Sequence, residues 1–272
     1  MQYDPIKRTL GRVFNSTPTL RVAFYRMLDV LLLRSWHIAR ELRLWAASHR
    51  SGASILDAGS GFGQYTYRLA AMNAANKVLG IDVKQEQIAD CNRFFARIGK
   101  ADRVAFDCQD LTTFVRPAAF DLILSVDVME HIEADEQVFA NFHASLADGG
   151  MLLISTPSDK GGSDADEHTD GAAHGFIDEH VRDGYNIDDI RAKLARAGFS
   201  RVDARYSYGT PGHISWVLSM KWPIKMLNVS KAFFVLLPFY YLAVMWLCLI
   251  LNAFDLYRSH AVGTGLIVRA FK

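Results

Sequence analysis

The sequence predicts an α/β fold built on a doubly wound, mostly parallel sheet. Three observations carry this. Between residues 54 and 157, short apolar runs alternate with stretches of helical period, the signature of strands joined by right-handed helical crossovers. The runs L-I-L-S-V (122–126) and M-L-L-I-S (151–155) are apolar without alternation, as in strands covered on both faces. The first run, S-I-L-D (54–57), leads into a turn with glycines at 59, 61 and 63 and then into a helix.

Each element follows from local pattern. Residues 1–16 are polar and mixed and read as an irregular arm. Thr17-Pro18 is a helix start, an N-cap hydroxyl before a proline whose missing N–H is not needed there. Helices are expected over 20–33 and 36–45. Leu28, Leu31 and Leu32 share a face, and Leu33 and Trp36 widen the apolar band. After the glycine turn, 65–73 reads as a helix with Leu69 and Met72 on one side. K-V-L-G-I-D (77–82) is a second strand ending in Asp82, followed by a helix over 85–98. R-V-A-F-D-C-Q-D (103–110) is a third strand. F-D-L-I-L-S-V-D (120–127) is a fourth, running into V-M-E-H-I. A helix over 135–146 leads to a fifth strand at 149–157. Residues 158–183 have neither period, and a loop of that length is usually functional or disordered. A helix over 187–197 ends at Gly198, and 199–208 is a sixth strand.

The glycine turn narrows the ligand class. A backbone that turns sharply beside a ligand cannot carry Cβ atoms, and the N–H groups opening the next helix face that ligand. A phosphate loop ends in Gly-Lys-Ser/Thr, and no lysine is present. A dinucleotide site needs a small residue where Gln64 stands. What remains is Asp57-x-Gly59-x-Gly61-x-Gly63.

This motif resembles the first motif of the class I methyltransferases that use S-adenosylmethionine. Further matches follow in order, and the resemblance covers roughly 45–202 and the last strand. It implies a Rossmann-like seven-stranded sheet of order 3-2-1-4-5-7-6 with the last strand antiparallel, capped by N-terminal helices. It implies that Asp57 orders the loop and the cofactor's ammonium, while loop N–H groups meet its carboxylate. Asp82, about twenty positions past the turn, would accept from the ribose hydroxyls. Asp110 would meet the adenine amino group, Leu111 would pack on the ring, and Ser125 or Val126 would lie near the methionine end. The Asp127…Glu130-His131 ending is typical of the small-molecule and lipid branch, and Glu130-His131 is also similar to a pair in fatty-acyl cyclopropane synthases. The segment H-V-R-D-G-Y (180–185) resembles a stretch that borders the acceptor.

Glu130, His131 and His180 are therefore the candidates on the acceptor side. A base is needed only where the acceptor must lose a proton. His168, His174 and His180 lie six residues apart with no cysteine beside them, which is not a metal-site pattern. Tyr25 and Trp36 are placed to reach the cleft, although simple packing on the sheet explains them equally well.

The totals exclude other classes. A net charge of +1 over 272 residues leaves no electrostatic footprint for nucleic acid. Cys91, Cys108 and Cys248 are unpaired in spacing and suit a reducing, cytoplasmic compartment. The first residues lack the apolar core of a signal peptide.

One segment departs from the implied fold. The seventh strand, G-L-I-V-R-A-F (265–271), comes after a long insertion instead of a short hairpin. The chain thus divides into an arm with cap helices (1–50), a core (51–208), an apolar helical insertion (209–262) and a final core strand (263–272). Residues 232–254 carry no charge and by length could span a bilayer. A single crossing would strand the last strand on the far side. The readings left are a monotopic lobe in one leaflet, bent at Pro238, a re-entrant or two-helix hairpin, or an apolar cap or homodimer face. The expected function is methylation of a hydrophobic or lipid-like acceptor at a membrane surface. The alternatives are a soluble methyltransferase of a polar small molecule or glycan, and a non-catalytic membrane-bound scaffold.

Overall fold

A computed structural model describes residues 17–49, 51–160 and 181–272. Helix α1 (Pro18–Leu31) starts where Thr17 Oγ accepts the Leu20 N–H at 3.3 Å. Helix α2 (Leu33–Ala46) follows after one extended residue, Leu32, at φ −91° and ψ 111°. The break thus falls two residues earlier than periodicity places it. Its cause is distant: the Arg34 N–H is held by the Tyr208 hydroxyl at 2.9 Å.

Seven strands form one sheet: β1 (Ser54–Ala58), β2 (Lys77–Asp82), β3 (Val104–Cys108), β4 (Phe120–Val126), β5 (Leu146–Pro157), β6 (Arg201–Ser207) and β7 (Gly265–Phe271). Their order is β3-β2-β1-β4-β5-β7-β6. The first five run parallel, and β7 lies antiparallel between β5 and β6. This is the expected topology. Strand β5 begins at Leu146, three residues before the expected Gly149, taking the last residue of the expected preceding helix.

Helices α3 (Gln64–Met72), α4 (Gln85–Arg97), α5 (Asp135–Ser145) and α6 (Ile187–Arg196) cover the sheet. Leu122 and Leu124 pack with Leu69, Phe94 and Phe95 on one face, while Ile123 packs with Phe139, Phe142 and Leu194 on the other. Strand β4 is thus buried on both sides, which is why it reads as a continuous apolar run.

The insertion is a helical hairpin. α7 (Thr210–Trp216) continues through a π-helical turn (Val217–Lys221) into α8 (Trp222–Val229). A short turn at Lys231–Val235 leads into α9 (Leu237–Tyr257), which runs back beside the first arm. Gly212 N–H donates to Asp255 at 3.0 Å and Ser215 Oγ to the Cys248 carbonyl at 3.3 Å. Higher up, the Tyr240 and Tyr241 hydroxyls donate to the Leu218 and Ser219 carbonyls at 2.6 and 2.8 Å. Those carbonyls belong to the π-helical turn, where the regular helical ladder is broken and an outside donor is useful. Pro238 does not bend the lobe. It sits in the first turn of α9, where a proline removes no helical bond, and α9 is continuous. At 21 residues α9 is about 31 Å long, and the chain enters and leaves the hairpin at the same edge of the sheet.

A buried polar cluster fixes the hairpin's base. Asp255, fully buried, meets His37 at 2.9 Å and His260 at 3.3 Å. His37 Nδ1 faces the Arg205 guanidinium at 3.2 Å, so Nδ1 is the acceptor and Nε2 carries the proton toward Asp255. Arg205 also pairs with Glu41 at 2.9 Å, and Glu41 with Arg269 at 3.3 Å. Burial lowers the His37 pKa, keeping the ring neutral. Burial alone would raise the Asp255 carboxyl, but the His37 hydrogen bond and the His260 charge hold it below its ordinary range.

Candidate active site

The glycine turn lies at the C-terminal edge of β1, where open α/β sheets bind ligands. Gly59, Gly61 and Gly63 all have positive φ, at 80°, 51° and 84°. At Gly59 a Cβ would lie 2.2 Å from Val128 Cγ2, so the turn after β4 can approach only a glycine. At Gly61 a Cβ would meet nothing within 4 Å and would project into the open cleft.

The loop's own donors are largely engaged. Gly59 and Ser60 N–H bond the Ile81 carbonyl at 2.8 and 2.9 Å, Gly63 N–H bonds Ser60 O at 2.9 Å, and Gly61 N–H bonds Asp82 Oδ2 at 2.9 Å. These four N–H groups are thus paired within the protein. Asp57 is buried, accepts from Thr66 Oγ1 at 2.5 Å and caps the first turn of α3. Burial pushes its pKa up to about 7, against the hydrogen bonds from Thr66.

Asp82 is half-buried at the end of β2, with Oδ1 receiving Lys84 N–H at 2.9 Å. Each oxygen thus has one protein donor and retains acceptor capacity. Asp110 is exposed, with Oδ1 bonded by Thr112 N–H and Oγ1, both at 2.8 Å. Leu111 is buried in the core and Val126 is half-buried at the end of β4. Two buried hydroxyls here, Ser60 and Ser125, have no hydrogen-bond partner. An open cradle at Gly61, a carboxylate on β2 and two bare hydroxyls fit a ligand with ribose and amino-acid polar groups.

The acceptor side lies beyond β4. Asp127 takes a left-handed φ of 51° and pairs with Arg34 of α2. Glu130 is buried, and Oε2 accepts from Thr156 Oγ1 at 3.0 Å. Burial raises its pKa, with its own backbone N–H and the His131 charge opposing. His131, the next residue, is exposed. The structure thus brings Glu130 and His131 to the same turn but points them differently. His180, with His168 and His174, lies outside the described residues. The turn itself is clamped from 182–185: Arg182 donates to the Ile132 carbonyl at 2.7 Å and also pairs with Asp135, to which the Tyr185 hydroxyl donates at 2.7 Å. Arg182 and Tyr185 therefore hold the turn that carries the candidate acid–base pair.

The residues sequence reasoning missed lie on α1 and α2. Arg21, buried, donates to the Phe62 carbonyl at 2.7 Å and to Asp90 at 2.5 Å, and the Tyr25 hydroxyl reaches the same carbonyl at 2.5 Å. Tyr25 thus meets the glycine loop as one reading allowed. Trp36 turns away, donating to Val30 O at 3.0 Å. Gln64, which excludes a dinucleotide fingerprint, donates to Asp29 on α1 at 2.8 Å. An arginine and a tyrosine one turn apart on a largely apolar helix (21 and 25) were the available signal.

The pattern of the family described as "Methyltransferase domain" matches residues 49–187, just over half the chain. The chain belongs to the methyltransferase-domain family. S-adenosylmethionine is that family's methyl donor. The domain is 32% identical over 162 residues to phosphoethanolamine N-methyltransferase 1 of Zea mays, covering 57% of this chain and 30% of that protein. It is 27% identical over 177 residues to a Pseudomonas putida protein described as "Probable fatty acid methyltransferase", covering 61% and 42%. The chain spans less than a third of the length of the plant relatives it matches. Among solved structures, Haemonchus contortus phosphoethanolamine N-methyltransferase 2, in complex with phosphomonomethylethanolamine and S-adenosylhomocysteine, shares the fold at TM-score 0.53. Identity there is 18%, covering 82% of this chain and 49% of that one.

Proposed function

We propose that the protein is an S-adenosylmethionine-dependent methyltransferase that takes a hydrophobic, lipid-like acceptor from a membrane surface on which it sits monotopically, in the cytoplasm. The observation that carries this is the hairpin. Phe239, Leu242, Trp246 and Ile250 of α9 are 68, 71, 71 and 54% exposed, and only 11% of the helix's most apolar stretch is buried. Apolar area on that scale needs a partner. Because β7 returns between β5 and β6, the hairpin cannot leave its strands on opposite sides of a bilayer. Lys221 and Lys225 on the first arm, with Trp222 between them, suit an interface better than a bilayer centre. The relative described as acting on fatty acid is consistent with an acyl acceptor.

The bound cofactor supplies the sulfonium methyl, an electrophile that needs alignment more than activation. In this reading Asp82 holds the ribose, Asp57 the amino group, and Asp110 and Leu111 the adenine, with Val126 at the methionine end. Arg34 on Asp127 draws α2 across the cleft and restricts water. Where the acceptor is a hydroxyl, His131 takes its proton, on a turn that buried Glu130 ties to Thr156.

Vesicle flotation with paired kinetics tests this. Replacing Trp222, Phe239, Leu242 and Trp246 with glutamine is expected to release the enzyme from vesicles. It is also expected to cut turnover of a long-chain acceptor far more than that of a short soluble analogue, since each methylene kept from water is worth about 0.8 kcal/mol. Equal losses on both acceptors, or a wild-type protein that is monodisperse without lipid or detergent, would assign the hairpin to a cap or a homodimer face.

A further inference from the structure

We infer that the partner of the hairpin's outer face is an anionic lipid surface, whose acidic phospholipid head groups meet a set of cations on the hairpin. This rests on the membrane reading above and adds the charge of the lipid. The observation behind it is a separation of charge along the chain. Residues 209–262 carry Lys221, Lys225, Lys231 and Arg258 against a single acid, Asp255. Four cations against one acid give the insertion +3, so the chain's net charge of +1 leaves −2 on everything else. Asp255 is fully buried, bonded by His37 and by the Gly212 N–H. The hairpin therefore presents no carboxylate of its own at its surface.

The apolar stripe decides how those cations meet a partner. Phe239, Leu242, Trp246, Ile250, Phe254 and Tyr257 follow one another at three- or four-residue steps, and all are exposed. The stripe thus runs the whole length of α9 on one face. A stripe of that shape meets a lipid surface with the helix lying in its plane. Cations then bracket the helix. Lys231 opens the turn before α9, and Arg258 follows its last residue, with the guanidinium 5.7 Å from the Phe254 ring centre. On the first arm, Lys225 is exposed one turn after exposed Trp222, and Lys221 Nζ lies 5.9 Å from the Trp216 ring centre. Lys221, Lys225 and Arg258 each have an aromatic side chain beside them or one turn away. This suits stems that lie on apolar surface while the charges reach head-group depth.

The same charges argue against a second copy of the chain as the occupant. A two-fold interface sets a patch against itself. That would bring like cations together with no hairpin carboxylate to pair them. An acidic leaflet supplies negative groups at the depth of the cations, and each basic side chain near such a surface strengthens binding about fivefold.

Co-sedimentation with vesicles tests this. The full chain is titrated with vesicles of phosphatidylcholine alone and with vesicles in which one lipid in three is phosphatidylglycerol. Binding to the anionic vesicles is expected to be about ten- to a hundredfold tighter at low ionic strength. The difference is expected to shrink to within about twofold in about 1 M salt, where the screening length is about 3 Å. Lys221→Gln, Lys225→Gln and Arg258→Gln together are expected to cut the preference at least about fivefold, with affinity for neutral vesicles within about twofold of wild type. Equal affinity for the two vesicles, a preference that survives high salt, or one unchanged in the triple variant overturns the inference and leaves the membrane reading standing. Binding to neither vesicle overturns both, and a stable dimer by light scattering would then assign the face to a second copy. Should the triple variant fail to fold, the wild-type salt series decides.

Discussion

The glycine-loop end of the sheet and the hairpin are opposite solutions to burying a polypeptide. At the glycine loop, apolar side chains face inward and backbone donors find internal partners: Gly59, Ser60, Gly61 and Gly63 N–H are all bonded within the protein. Along α9, Phe239, Leu242 and Trp246 face outward, and the polar groups Asn252 and Asp255 face in. The first region satisfies its backbone internally and offers a ligand a few unspent acceptors. The second is held to the core by a charged base and leaves its apolar face for a partner. Hydrophobic residues in the two regions therefore answer different questions, and variants can separate them.

The largest expected effect lies on the turn after β4, beside the glycine loop. On a hydroxyl acceptor, His131→Ala is expected to lower kcat by about 10²–10⁴ with cofactor affinity nearly unchanged. Steady-state kinetics with calorimetry checks this, and full activity would make His131 a surface residue. Next is the hairpin's base. Asp255→Ala leaves His37, His260 and the Tyr208 and Gly212 N–H groups without their buried acceptor, and about 3–5 kcal/mol of stability is expected to go in denaturant unfolding. Leu242→Gln, on the outer face of the same helix, is expected to change stability by less than about 0.5 kcal/mol. Similar losses for both would mean that α9 is buried on its outer face too.

At the glycine loop the effects are smaller and fall on binding. Asp82→Ala removes the acceptor for Gly61 and Lys84 N–H as well as for a ribose, and S-adenosylmethionine affinity is expected to fall about ten- to a hundredfold. Binding equal to wild type would show the ribose held elsewhere. The smallest effect is a pH dependence. Asp57 titrates at about 7 in the free protein because burial favours its neutral form. A nearby ammonium favours the carboxylate, so binding releases a proton. Affinity is then expected to rise with pH up to about 7 and level off above it. Calorimetry in buffers of different ionisation enthalpy reads the proton directly, and Asp57→Asn is expected to abolish the dependence.

Much of the fold was legible because its signals are local. β4 and β5 announce themselves as unbroken apolar runs, the turn at 59–63 by its glycines, and the end of α6 by Gly198, which takes a left-handed φ of 105°. The strand order and the place of 265–271 followed from a resemblance carried by that same short turn and the carboxylates after it. The sequence by itself thus determined the sheet, the glycine turn, the position of Asp82 at a strand end, and the existence of an apolar insertion too long for a loop.

Tertiary structure alone decided what the insertion is and who closes the site. Whether 209–262 bends once or folds back on itself depends on pairs such as Ser215 with Cys248 and Leu218 with Tyr240, separated by 33 and 22 residues. Tyr208 holds Arg34 across 174 residues, and Arg21 reaches Phe62 across 41. Periodicity records which face of an element is apolar, because that follows from neighbours three or four positions away. It carries no record of which distant polar group satisfies a buried one. That choice is made only when burial makes an unpaired donor or acceptor costly, and burial exists only in the folded chain.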